Sequence, residues 1–108
     1  MNRVFVYHTM LFAEIRKKCF GHDVPPGKID FLSGYSIESF VTPEGHDFHT
    51  VEPNKDGKVI GRRLLLSLEE FKKLTNWEDE YRPVEVQLDS GLDATVFVLK
   101  DQYKKARE

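Results

Sequence analysis

Four consecutive residues, Val4-Phe5-Val6-Tyr7, offer no polar face, and this constrains the whole chain. A β-branched and aromatic run buried on both faces needs strand partners on either side and packing above and below. The run, residues 3–7, breaks at once into the turn His8-Thr9 and then into a helical pattern. Between residues 10 and 20, Leu11, Ile15 and Cys19 recur every fourth position, which predicts a helix with Arg16, Lys17 and Lys18 toward water and Gly21 as its stop. A strand that ends in a tight turn before a helix often builds a small-molecule site. Such a turn usually wants glycine; this one has His8.

Downstream, "HDVPPGK" is a loop, because consecutive prolines and a glycine do not sit in regular structure. Residues 28–35 and 36–41 are expected as extended segments hinged near Ser33-Gly34. "TPEGHD" is a turn, residues 48–51 a short strand, and "EPNKDGK" a polar loop. Residues 59–66 are strand-like around Gly61, where the missing side chain points to a bulge or a close backbone approach. Ser67 with Glu70 three residues on is a capping-box signature, and Leu68, Phe71 and Leu74 give the following helix one apolar face. Val84, Val86 and Leu88 alternate with polar residues, "DSG" is a hairpin turn, and residues 94–99 are the return strand. The expected class is α+β, as one domain over residues 1–100 with a C-terminal tail at 101–108.

Composition removes several function classes. With 16 basic against 18 acidic residues and a net charge of −2, no basic face is available to grip nucleic acid. The small basic runs, Arg16-Lys17-Lys18 and Lys104-Lys105 with Arg107, are expected as solvated helix faces. No apolar stretch approaches membrane-spanning length, and no signal-peptide core opens the chain. The single cysteine, Cys19, excludes an intrachain disulfide and is expected as a buried small hydrophobe. A cytoplasmic location follows as the expectation, with a monomer or weak dimer.

The four histidines do not make a metal centre on spacing. His46 and His49 are three apart around a turn and short strand, and no further ligands accompany them. No metal and no cofactor are expected. Gly57-Lys58 lacks the remaining residues of a phosphate loop. The stretch that stands out is "KLTNWEDEYRPVEV", which joins the second helix to the alternating strand. Within it Trp77 and Tyr81 flank Glu78 as apolar walls. A carboxylate between aromatic rings loses hydration, which raises its pKa toward the range useful for proton transfer. A surface acid beside Asp79 and Glu80 is the alternative.

Taken in order, these landmarks resemble the γ-glutamylcyclotransferase-like family. That family's first strand runs into a Tyr-Gly-Thr-Leu or Tyr-Gly-Ser loop, and "RVFVY" here runs into Tyr7-His8-Thr9-Met10. "IDFLSGY" matches a Leu-x-Gly-Tyr segment at Leu32, Gly34 and Tyr35, and "KVIGRRLLL" matches a Val-x-Gly strand at Val59 and Gly61. The family's catalytic motif, roughly Leu-Asp-x-aromatic-Glu-Gly followed by Tyr-Arg, has its counterpart in Leu74 to Asp79 and Tyr81-Arg82. The closing Gly turn and Ala-x-Val-aromatic-Val strand is "SGLDATVFV". The departures are His8 for the loop glycine, Thr75 for aspartate and Asp79 for glycine.

The resemblance implies a small mixed, mostly antiparallel β-barrel flanked by two short α-helices, with a cavity between the first loop and Glu78. It implies an intramolecular aminolysis in which the α-amine of a γ-glutamyl amine or peptide attacks its own side-chain carbonyl, releasing 5-oxoproline and an amine. Glu78 is carried over as general acid/base. Tyr7, His8, Thr9, Met10, Trp77 and Tyr81 are carried over as substrate-binding residues, with backbone N–H groups of the loop as anion donors. A catalytically silent relative that keeps the cavity to bind a small molecule, or its surface to bind a protein, is the other reading.

Overall fold

The computed structural model describes residues 1–104. Its strands are β1 (Asn2–Val6), β2 (Lys28–Val41), β3 (Asp47–Leu66), β4 (Tyr81–Gln87) and β5 (Asp93–Leu99). They form one sheet in the order β2-β3-β1-β5-β4, in which only the β1–β5 pairing is parallel. Three short helices accompany it: α1 (Ala13–Phe20), α2 (Leu68–Trp77) and α3 (Asp101–Lys104). The fold is α+β, with the sheet curled into a half-barrel.

β1 takes the central place that its two apolar faces require. Val4 and Val6 pack with Phe20, Leu64, Leu66 and Leu74 on the helix side of the sheet. Phe5 points the other way, into a second core with Leu32, Val51, Val59 and Val96. Hydrogen bonds between segments distant in sequence hold the curl. The Asp89 N–H donates to the Phe31 carbonyl at 2.8 Å, and the Leu99 N–H to Thr50 Oγ1 at 2.8 Å.

Several sequence expectations are refined. The two segments 28–35 and 36–41 are one strand, β2, and its register shifts between Ser33 and Tyr35 around Gly34, which takes φ 86°. The expected loop "EPNKDGK" lies inside the 20-residue β3. Pairing with β2 jumps there from Pro53 opposite Tyr35 to Lys58 opposite Ser33, so residues 54–57 bulge out of register. The polar composition marks the interruption correctly, but β3 continues across it.

The first helix also differs. Thr9–Leu11 is a single 3-10 turn, Phe12 is extended at φ −92° and ψ 129°, and α1 begins only at Ala13. Ile15 and Cys19 still pack on the core, as their spacing predicts, but Leu11 falls before the break and Arg16 does not face water. Leu11 is 36% exposed, while Arg16 is buried and donates to the carbonyls of Met10, Leu11 and Val24 at 2.9–3.1 Å. A buried guanidinium with three carbonyl acceptors is satisfied without a counter-ion. Gly21 closes α1 at φ 79°, as expected.

α2 opens with the full capping box: the Ser67 N–H donates to Glu70 Oε1 at 2.8 Å and the Glu70 N–H to Ser67 Oγ at 3.1 Å. Leu74 is the buried residue of its apolar face and Phe71 packs beside it, whereas Leu68 is exposed. In the tail, Tyr103 of α3 packs on Phe48 with ring centroids 5.5 Å apart, and Lys104 pairs with Glu52 at 2.6 Å. The basic residues Lys105 and Arg107 lie outside the described residues. Among the described residues, no helix is long and apolar enough to cross a membrane.

Gly61 is a close-approach position, as its place in a strand suggested. A Cβ there would collide with the Val6 carbonyl oxygen and the Phe5 ring. Gly61→Ala is therefore expected to destabilise the fold by about 2 kcal/mol or more, since backbone cannot yield as a flexible side chain does. Equilibrium denaturant unfolding measures it.

Candidate active site

Where β1 ends, the chain turns outward and opens a cleft against β3, β5 and the end of α2. The cleft encloses about 420 Å³ with its mouth included, and Phe5, Val6, Met10, Leu74 and Phe97 form its apolar surface. Its polar lining is Tyr7, His8, Thr9, His49, Glu78 and Tyr81. Six of the seven expected site residues thus meet in one place, although Glu78 and the loop at residues 7–10 lie some seventy positions apart in sequence.

Glu78 is the C-cap of α2. Its N–H donates to the Leu74 carbonyl and its own carbonyl accepts from the Tyr81 N–H, both at 2.9 Å, so the backbone of the junction is held on both sides. Burial, followed by the negative charges of Glu80 and Asp79, raises the carboxyl from its ordinary value to about 7. The helix C-terminus acts in the same sense, because its partial negative charge disfavours an anion. The acidic neighbours that supported the surface-acid alternative therefore contribute to the perturbation.

Trp77 is the exception to the expected set. It is 44% exposed and does not line the cleft. Leu74 and Glu78 are four residues apart and share the inward helix face, while Trp77 is turned about 100° from Glu78. The wall beside Glu78 comes from Leu74, Tyr81 and Phe97 instead.

Both tyrosine hydroxyls are committed to backbone: Tyr7 donates to the Phe97 carbonyl and Tyr81 to the His49 carbonyl, each at 2.8 Å. Burial raises the Tyr7 phenol well above its ordinary value, and it pushes Tyr81 up to about 12, with Glu78 as the next cause. At neutral pH both are walls and donors rather than bases. Cys19 is buried, and its thiol is raised to about 11, by burial first and then by Glu78. It carries no nucleophilic character.

His8 takes φ −138°, so the position does not use glycine's access to positive φ. Its imidazole instead stacks on His49, with centroids 4.1 Å apart and an interplanar angle of 27°. His49 is the functional candidate that sequence reasoning missed. Spacing pairs it only with His46, which stacks on Phe48. Forty-one positions separate His49 from His8, and no local pattern reveals that the curl of β3 brings them together. Among the described residues no group of three or more His, Cys, Asp or Glu could hold a metal ion.

No protein-family model matches the sequence and no curated protein matches it. Solved structures do match the fold. A solution structure from Arabidopsis thaliana gives a TM-score of 0.75 at 19% identity over 94% of this chain, which spans 63% of that one. A crystal structure of an uncharacterized protein from Pyrococcus horikoshii gives 0.65 at 19% identity, over 92% of this chain and 78% of that one. A γ-glutamyl cyclotransferase gives 0.75 at 15% identity, over 97% and 75%. At these identities the likeness establishes a shared fold.

A carboxyl whose pKa is higher folded than unfolded binds more protons in the native state. Its contribution to stability is therefore present below the unfolded value and is lost as pH rises through the folded one. For Glu78 that window runs from its ordinary value of 4.5 to about 7. Unfolding free energy should fall by about 2 kcal/mol across it, and Glu78→Gln should remove most of that fall. Denaturant titrations at pH 5, 6, 7 and 8 on both proteins check this.

Proposed function

We propose that the cleft is a γ-glutamyl cyclotransferase site. The observation that carries this reading is Glu78: a half-buried carboxyl with a pKa of about 7, in a cleft faced by the loop at residues 7–10. At neutral pH such a group is divided between a form that accepts a proton and a form that donates one.

The reaction asks for both. The ionised Glu78 takes a proton from the α-ammonium of the γ-glutamyl group. The freed amine nitrogen then forms a bond to the side-chain carbonyl carbon, and the bond from that carbon to the departing nitrogen breaks. The departing nitrogen takes a proton back from Glu78 as it leaves, and the products are 5-oxoproline and a free amine. The substrate must be folded onto itself for this, and confinement in the cleft favours that conformer. Anionic oxygens are met by N–H groups of Thr9 and Met10. These stand at the start of a single 3-10 turn, before any acceptor within the turn is available. The step consumes no cofactor. The fold shared with a γ-glutamyl cyclotransferase supports the same reading.

The catalytically silent relative has one observation in its favour: the His8 ring lines the cleft where the resembled family has glycine. A panel of γ-glutamyl amines and dipeptides, assayed for 5-oxoproline, separates the two. Turnover by the wild type, reduced by about 10² to 10⁴ in Glu78→Gln, is the expected result. No release from any member of the panel, with 5-oxoproline nevertheless raising the melting temperature, would make the protein a binding module.

A further inference from the structure

The cleft has no lysine or arginine in its lining. With both tyrosine hydroxyls held by backbone carbonyls, its uncommitted polar side chains are His8, Thr9, His49 and Glu78. His8 is the one exposed member of the lining among the described residues, so the histidine stack marks the mouth. The His49 Nδ1 is buried without a hydrogen-bond partner, 4.0 Å from Asp47 Oδ1. On the cyclotransferase reading a departing amine leaves through this mouth, since Phe5, Val6, Leu74 and Phe97 of the core close the other side.

We propose that the His8–His49 stack is a proton-coupled anion subsite, which recognises a carboxylate carried on the amine half of the substrate. The inference deepens the cyclotransferase reading and rests on it. Two imidazolium rings stacked at 4.1 Å repel each other, so without an anion the pair disfavours a second positive charge. His8 is held below its ordinary pKa by burial and then by His49, with Asp47 opposing. The other titratable groups lining the cleft with the stack are Tyr7 just beyond β1, Tyr81 on β4 and Glu78 at the end of α2. None of these is a cation. An arriving carboxylate supplies the missing counter-charge, so binding draws a proton onto the pair and weakens as pH rises.

The test compares γ-glutamylglycine with γ-glutamylethylamide, which has the same length but no terminal carboxylate. Both are titrated calorimetrically into Glu78→Gln at pH 6 and pH 8. This background blocks turnover, and the substituted amide does not titrate, so a pH effect cannot come from position 78. The expected result is γ-glutamylglycine binding about tenfold tighter than the ethylamide at pH 6, the worth of one charge-assisted hydrogen bond. The preference should narrow sharply at pH 8, and the binding heat at pH 6 should vary with buffer in the sense of proton uptake. Adding His8→Asn, or His49→Phe, which keeps a ring in the stack, should abolish the preference, so that the two compounds bind equally within each variant. Equal binding of the two compounds at pH 6, or a preference surviving both substitutions, would overturn the subsite and leave the cyclotransferase reading standing. Failure of both compounds to bind would overturn that reading, and the inference with it.

Discussion

The position of β1 between β3 and β5 is the constraint from which the cleft follows. Its three buried residues alternate between two cores, so neither register nor direction can slip without moving an apolar side chain into the wrong layer. The close contact of Gly61 with Val6 and Phe5 tightens the same lock from β3. With β1 fixed, Tyr7 emerges at a set height, and the chain turns there through the exposed His8 before Met10 returns to the core. The buried Arg16, bound to the carbonyls of Met10 and Leu11, then holds the turn from behind.

The electrostatics of the cleft follow from what this arrangement leaves out. Burial, two acidic neighbours and a helix C-terminus all act on Glu78 in one direction, and no cation in the lining opposes them. Burial is the largest of the three, so the perturbation belongs to the fold more than to the acidic sequence around it. That gives the cyclotransferase reading its physical content, because a carboxyl shifted by desolvation can both take up and return a proton near neutral pH.

Sequence patterns with a local cause were legible. The doubly apolar run, the Ser67–Glu70 box, the Gly21 stop, the hinge at Gly34 and the Gly61 approach each have a short-range reason, and each is present in the structure. The ordered landmarks of the resembled family pointed to Glu78 and the first loop together. Features with a long-range cause were not legible. His49 meets His8 across forty-one positions of sequence, and Arg16 is buried because the carbonyls of Met10, Leu11 and Val24 converge on its guanidinium. Trp77 misled because a bulky aromatic beside an acid reads as a wall in sequence, while helical geometry turns it outward.

The central claim, that the fold itself poises Glu78 for proton transfer, is most directly tested by an NMR titration of its side-chain carboxyl carbon, assigned by loss of the signal in Glu78→Gln. The account predicts a midpoint near 7 in the ligand-free protein. A midpoint at the ordinary glutamate value of 4.5 would contradict it, and would leave the cleft without the base the proposed chemistry requires.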